Sequence, residues 1–568
     1  MELSLPLTDA TALQDALQGG RVGARDVAAA ALHRARAAES DRFGSPLGAF
    51  VHLEPQDAAD SGAAALDALP AAQRGRWHGM PMPLKDLHDI QGQPTTSGSR
   101  AVAVEGRGCA PVAEADDETA QLHRALGAQL LGKTQVPEFG LNCYSQNLLG
   151  PVTRNPWDLQ ADPGGSSGGQ AAAVAAGIIP AVVGSDGGGS IRIPAATCGL
   201  IGLKPGRGTV PTGDGLRDHG MLAVNGPIAR TALDAALVFD GLTQPAPGAV
   251  GGNRSFRPVC SPGAAAAREP WARSSLANGA HGPASSSLRS GALADAGIGS
   301  PSASSSGRSA EPGPAMQAVR RAQHGELPWG SRALSIGVST SSAFESAHPT
   351  PVSPQAQEAL AVGVEVLRSA GHSVQDADIR HDPAYPEAFF QLWTASVGAA
   401  PLSPEQEPLL TGLAQEYRRR AGRRTASDLV RAIRTLRDME RRVLRDWDRW
   451  DVVMTPALAQ TPRPHGWWWE GFEPTDPASA DQDYERQCRY TPWTSLINVI
   501  GLPAVVVPTA IVRSEVTGAQ VPMGIQLIGR PGAEIGLLVL ADRITSGLDP
   551  ALRECLAAPP QERFRAIA

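Results

Sequence analysis

Along this chain, short apolar runs alternate with stretches whose apolar residues recur at helical spacing. That rhythm predicts alternating strands and helices. Residues 9–17 have helical spacing and stop at Gly19-Gly20, and 24–38 repeat the pattern with alanines and a leucine. GMPMPLKDLHDI reads as a strand entering a loop near Lys85. Residues 117–131 read as helical, with ALGAQLLGKT as a helix end running into a strand. A helix over 171–176 starts at a serine-bearing loop. ALSIGVST reads as a strand, 354–370 as a helix, 372–377 as a strand and 418–450 as one long basic helical stretch. Near the end, NVIGLPAVVVPTA and MGIQLIGRPG read as two buried strands joined by a loop. The alternation argues for an α/β architecture.

One segment breaks the rhythm. Residues 244–330 are rich in Ser, Gly, Ala and Pro, with almost no large aliphatic side chains. Such a composition cannot bury a core and predicts a flexible insertion. The expected layout is therefore one domain in two parts, 1–243 and 331–568, around the 244–330 insertion. With 568 residues the chain can bury a large core, and 42% hydrophobic against 19% charged residues suits a globular protein. A net charge of -7 gives no general pull towards nucleic acid or an anionic membrane. The arginines of 418–450 are interleaved with Asp and Glu, which reads as a solvated helix face rather than an RNA-binding one. Cys109, Cys143, Cys198, Cys260, Cys488 and Cys555 are scattered without metal-ligand or disulfide spacing, so no metal site is expected. The first residues lack a basic stretch followed by an apolar one, and the apolar run 171–184 is too short to span a bilayer. A cytoplasmic location with no membrane partner is the expectation.

The chemistry concentrates in residues 161–195, ADPGGSSGGQAAAVAAGIIPAVVGSDGGGSIRIPA. Two glycine loops each carry serine, GGSSGG at 164–169 and GGGS at 187–190. Glycine leaves backbone amides bare, and a serine beside bare amides suits acyl transfer: a nucleophile next to an oxyanion hole. A phosphate-binding loop would end in Gly-Lys-Ser/Thr, and a dinucleotide fold would show GxGxxG; neither fits. Gly165-Ser166-Ser167-Gly168-Gly169 formally matches a GxSxG nucleophile elbow with Ser167 as nucleophile, but His219 and His465 lie in no recognisable partner motif. The run GWWWEGF stands out in a chain with 5% aromatics. Trp467, Trp468 and Trp469 either line a substrate pocket or form a packing patch or subunit contact, which leaves a homodimer open.

Lys85 and Ser190 sharpen this picture. GMPMPLKD, TTSGS, LGKTQVPEFG, RNPWD, PGGSSGGQAAAVAAG, GSDGGGSIRIPAA, GLKPGRG, GLPAVVVP and MGIQLIGRPGAE occur in this order. Together they resemble the amidase signature family over most of the chain outside the low-complexity segment. The resemblance implies an α/β fold in one large domain, with a central mixed twisted sheet covered by helices on both faces. It also implies an amidase that splits a small-molecule carboxylic amide through an acyl-serine, without cofactor. The family's nucleophile falls on Ser190, its bridging serine (which follows a cis peptide) on Ser166, its base on Lys85, and its oxyanion donors on the amides of Gly187, Gly188 and Gly189, with Ser190 itself. Physical chemistry agrees: a serine needs a base, and a lysine in the apolar setting MPMPLK can lose its charge by desolvation. Asp86 is expected to support a loop backbone, and Arg192 to pair with Asp186. Cys143 and Cys198 are expected to be small buried residues, and His88 a satisfied loop histidine. Gln170, commonly small in the family, departs from its pattern. Two other readings remain: a glutaminase subunit of a glutamyl-tRNA amidotransferase, lacking here a stretch like SNLARYDG, and a silent binding protein of the same fold.

Overall fold

The computed structural model describes residues 5–40, 46–103, 110–210, 221–243 and 311–560. Among these the strands form two sheets. Phe50–Leu53 (β1), Leu84–Lys85 (β2) and Gly132–Thr134 (β3) make a small sheet in the order β1-β3-β2. There β2 runs parallel to β3, with Lys85 opposite Thr134. The large sheet holds Ala181–Asp186 (β4), Ile201–Lys204 (β5), Val224–Ala229 (β6), Ser335–Val338 (β7), Ser373–Asp376 (β8), Val452–Pro456 (β9), Ala504–Arg513 (β10) and Gln520–Gly529 (β11). Its order is β4-β6-β5-β10-β11-β9-β7-β8. Pairings are antiparallel from β4 to β9 and parallel through β9, β7 and β8, so the sheet is mixed.

The apolar run of β10 explains how this sheet is buried. Val505 and Val507 face one core cluster and Val506 faces another, each at 1% exposure or less. Alternate side chains of a strand point to opposite faces, so a run of valines means that both faces are covered. Each such side chain contributes about 1.5–3 kcal/mol on burial. The first face packs on Ala10–Gln18 (α1), Ala24–Ala38 (α2) and Gln56–Asp67 (α3). Glu118–Ala125 (α4) covers the small sheet through Ala120. The second face packs on the short helices Gly168–Ala175 (α5) and Arg192–Thr197 (α6). Ala232–Thr243 (α7) and Pro314–Gln323 (α8) return to the first face, and Pro354–Ser369 (α9) touches both clusters. Tyr385–Gly398 (α10), Gly412–Gly422 (α11), Ala426–Asp446 (α12), Ala480–Tyr490 (α13) and Ser495–Val499 (α14) add an aromatic-rich layer, and Glu534–Gly547 (α15) closes the first face. Helices on both faces of a mixed sheet agree with the expected architecture.

Three expectations need correction. The stretch 418–450 is not one helix. It breaks between α11 and α12, where Thr425 caps α12 and exchanges hydrogen bonds with Asp428, a capping box. The helix expected over 117–131 ends at Ala125. The segment 244–330 is not uniformly an insertion. Residues 244–310 lie outside the described residues, but Pro314–Gln323 is a helix with Ala315, Met316, Val319 and Ala322 buried. The Asp240 carboxylate accepts from the amides of Ala315 and Met316 at 2.9 Å each, so α7 caps α8. Four small or medium apolar residues at helical spacing sufficed for this packing. Among the described residues, no helix is long and apolar enough to cross a membrane.

Candidate active site

The site forms where the small sheet meets the carboxyl end of β4. On β2, Lys85 is 2% exposed, and its Nζ donates to Ser166 Oγ at 2.6 Å and to Ser185 Oγ at 3.1 Å. No carboxylate makes a salt bridge to this amine among the described residues. Burial lowers its pKa from 10.5 to about 7, against the opposing charge of Asp186. Ser185 is the residue that sequence reasoning missed. It lies inside the GSDGGGS motif, but only the placement of β4 beside β2 brings its hydroxyl to Lys85.

Ser166 sits in the loop that enters α5. The Gly165–Ser166 peptide is cis. Position 165 admits no side chain, since a Cβ there would lie 2.2 Å from the Tyr144 carbonyl oxygen. The loop is fastened from below. Asp162 accepts from the amides of Ser145 and Gly164, and Ser145 Oγ donates to the Gly164 carbonyl at 2.7 Å. Burial raises the Asp162 pKa to about 7 against those bonds. Ser167 is fully buried at the start of α5, and its Oγ reaches only the Ser185 carbonyl, at 3.4 Å. That is not the exposed position of a nucleophile elbow. His465, one partner considered for it, is half-buried, and desolvation lowers its pKa to about 4. His219 lies outside the described residues.

Ser190 follows β4 and precedes α6 and is 8% exposed, against 1% for Ser166. The Ser167 amide donates to the Ser190 carbonyl at 3.3 Å and ties the two serine loops together. The glycine loop is braced by a buried ion pair. Arg192 and Asp186 are both fully buried, with Nε–Oδ2 at 2.9 Å and Nη2–Oδ1 at 3.0 Å. Burial alone would raise the Asp186 pKa, but the Arg192 charge and hydrogen bonds hold it well below the usual carboxylate range. Asn498 accepts from Arg192 Nη2 and Gln526 from Nη1, at 2.6 Å each. Among the described residues, the amides of Gly187, Gly188 and Ser190 have no acceptor. The Gly189 amide does have one, since it donates to Asp186 Oδ1 at 2.7 Å. This removes Gly189 from the expected oxyanion donors. Gly189 has a structural role instead: its φ is +134°, and a Cβ there would lie 2.5 Å from Ile193 Cδ1.

The remaining candidates fall into supporting places. Asp86 accepts from the Thr96 amide and hydroxyl and lies 3.8 Å from Lys133. His88 pairs with Asp117 at 2.8 Å. Cys143 and Cys198 are buried, and burial pushes both thiols up. Gln170 is buried and donates to the Val183 carbonyl at 2.8 Å, fixing α5 to β4. The tryptophans lie behind the serine loop. Trp468 is 1% exposed, stacks on Tyr144 at 4.7 Å and meets Tyr490 edge-on at 5.3 Å. Trp469 donates to Tyr144 Oη at 3.3 Å, and the guanidinium carbons of Arg463 and Arg486 lie 5.5 and 5.4 Å from the Trp467 ring centroid. Through Trp468 and Trp469 this aromatic group packs on Tyr144, whose carbonyl makes the close approach at Gly165. No group of ligating side chains able to hold a metal occurs among the described residues.

A sequence model of the family described as Amidase matches residues 26–266 and 282–538. The Mycobacterium tuberculosis protein named "Putative amidase AmiB2" is 33% identical over 517 residues, covering 89% of this chain and 90% of that protein. The solved structure titled "Structure of 6-aminohexanoate cyclic dimer hydrolase complexed with substrate" superposes with a TM-score of 0.72 at 23% identity, covering 98% of this chain and 99% of the other. A glutamyl-tRNA(Gln) amidotransferase component of Chromohalobacter salexigens is 39% identical, but over 231 residues only, 40% of this chain and 45% of that protein. The buried lysine, the two serine loops and these likenesses lead to one conclusion: the chain belongs to the amidase family, whose members are hydrolases of amide carbon–nitrogen bonds.

Proposed function

We propose that this protein hydrolyses small-molecule carboxylic amides through an acyl–Ser190 intermediate, with Ser166 as proton bridge and Lys85 as base. The observation that carries the reading is the environment of Lys85. A fully buried amine whose hydrogen bonds go to hydroxyls is disfavoured as an ammonium and favoured as a neutral base. Neutral Lys85 takes the proton of Ser166 Oγ as Ser166 takes that of Ser190 Oγ. The Ser190 oxygen attacks the amide carbon, and charge on the carbonyl oxygen meets the amides of Gly187, Gly188 and Ser190. Such donors each contribute about 10²–10³ in rate. The relay then reverses: Ser166 passes a proton to the departing nitrogen and is reprotonated by Lys85. Water enters, loses a proton along the same path and frees the carboxylate. No step calls for a cofactor, and the enzyme is read as cytoplasmic.

Partial similarity to the amidotransferase component supports a glutaminase reading less well, since it spans less than half of either chain. Release of ammonia from free glutamine, with no release from simple acyl amides, would favour that reading. The test of the proposal is Ser190→Ala. Hydrolysis of any amide that the wild type turns over should be lost while the far-ultraviolet circular dichroism is kept. A Ser190→Ala protein with near-normal turnover, beside an inactive Ser167→Ala protein, would refute it.

A further inference from the structure

We propose that Trp393 on α10 walls the acyl side of the Ser190 site and selects for amides with an apolar acyl group, aryl or extended alkyl, over acetyl-sized ones; this rests on the assignment of Ser190 as nucleophile. Trp393 is half-buried. The benzene edge of its indole lies over the glycine pair that carries two of the unpartnered amides. A Cβ built on Gly187 would lie 3.5 Å from Trp393 Cζ3, and one built on Gly188 would lie 3.6 Å from Cη2. Neither glycine has a positive φ, so the backbone conformation does not call for glycine there. A single carbon on either glycine would already touch the indole, so Trp393 stands directly against the backbone that carries these amides. An acyl group bonded to Ser190, its oxygen directed at those amides, has its substituent within van der Waals reach of the indole edge.

The wall is held in place before any substrate arrives. Tyr385, Phe389 and Trp393 recur every fourth residue on one face of α10. Tyr385 stacks on Phe389 and Phe389 on Trp393, both at 5.6 Å between centroids, with planes 11° and 23° apart. Phe344 meets Tyr385 and Phe389 edge-on. The far end is anchored back to the site, because Tyr385 Oη hydrogen-bonds Ser495 Oγ at 2.9 Å and Ser495 Cβ lies 3.9 Å from the Cβ position of Gly188. A fixed aromatic surface binds without an ordering cost and discriminates by contact area. Leu141 continues the apolar surface. It shares an apolar cluster with Trp393, and it follows Gly140, whose Cβ position lies 3.4 Å from Ser166 Oγ.

The experiment compares acetyl, hexanoyl and benzoyl p-nitroanilides, which share a leaving group, on the wild type, Trp393→Ala and Trp393→Phe. A small fluorophosphonate counts functional Ser190 in each preparation. Expected is a fall of about tenfold or more in the ratio of kcat/KM for hexanoyl or benzoyl over acetyl in Trp393→Ala, with Trp393→Phe between it and the wild type. Equal losses on all three acyl groups, in enzyme that still titrates fully, would overturn the proposal and make Trp393 a packing residue. So would an unchanged ratio. A wild type that neither turns over any of the three nor takes up the fluorophosphonate would instead bring down the assignment of Ser190, and this proposal with it.

Discussion

The protonation of Lys85 decides whether the site works at neutral pH. With its pKa lowered from 10.5 to about 7 by burial, about half of the enzyme holds a neutral amine at pH 7. Left at the ordinary 10.5, it would be neutral in about one molecule in three thousand. The difference is about three powers of ten in competent enzyme, or about 4 kcal/mol. The profile of kcat/KM should therefore rise about tenfold per pH unit below 6, bend near pH 7 and be flat above 8. Lys85→Ala should lose about 10²–10⁴ in rate, with some return at high pH as hydroxide replaces the base. Lys85→Arg should stay inactive at every pH, because guanidinium keeps its proton. The same shift predicts a stability effect. Between pH 7 and 10.5 the unfolded chain binds a proton at this position that the folded chain does not, so folded stability rises with pH across that window. Lys85→Met should remove that contribution to the slope and be the more stable protein at pH 7, as read by chemical denaturation. A partly active Lys85→Arg enzyme with the wild-type pH profile would refute the argument.

Two further substitutions test the supports of the site. Asp186→Asn leaves the Arg192 guanidinium buried without its counter-charge. It should cost about 3–5 kcal/mol in chemical denaturation along with most of the activity, and an unchanged midpoint would contradict the brace. Trp468→Ala removes a side chain packed between Tyr144 and Tyr490. It should cost about 3–5 kcal/mol of stability while KM per titrated Ser190 changes little; a large KM change with an unchanged midpoint would return Trp468 to the substrate pocket.

Much of this protein was legible where local chemistry alone decides. The helix 24–38 follows from its spacing, whereas the break that Thr425 and Asp428 set before α12 is masked by the arginine-rich run of 418–450. The valines of β10 announced a strand buried on both faces. Lys85, Ser166 and Ser190 were visible because their motifs are long and ordered, yet their convergence depends on β2 and β4, which lie in different sheets. Residues whose role depends on such long-range contacts were hidden. Ser185 meets Lys85 across 100 positions of chain. Trp393 sits in an apolar helix with no sign that its edge reaches Gly187. Conversely, Trp467 to Trp469 stand out by composition, but composition gives no sign of their contacts with Tyr144 and the neighbouring arginines. A glycine run gives no hint of which amide a carboxylate will take, so in sequence Gly189 looks like its neighbours.

Everything in the proposed reaction passes through an acyl group on Ser190. The most direct measurement is to quench the enzyme in acid during turnover of a p-nitrophenyl ester, a substrate whose deacylation is slow relative to its acylation, and to map the adduct by peptide mass spectrometry. One acyl group per molecule is expected on the peptide containing Ser190, absent in Ser190→Ala and formed far more slowly in Lys85→Ala. An adduct on Ser166 or Ser167 instead, or steady turnover by Ser190→Ala, would contradict it.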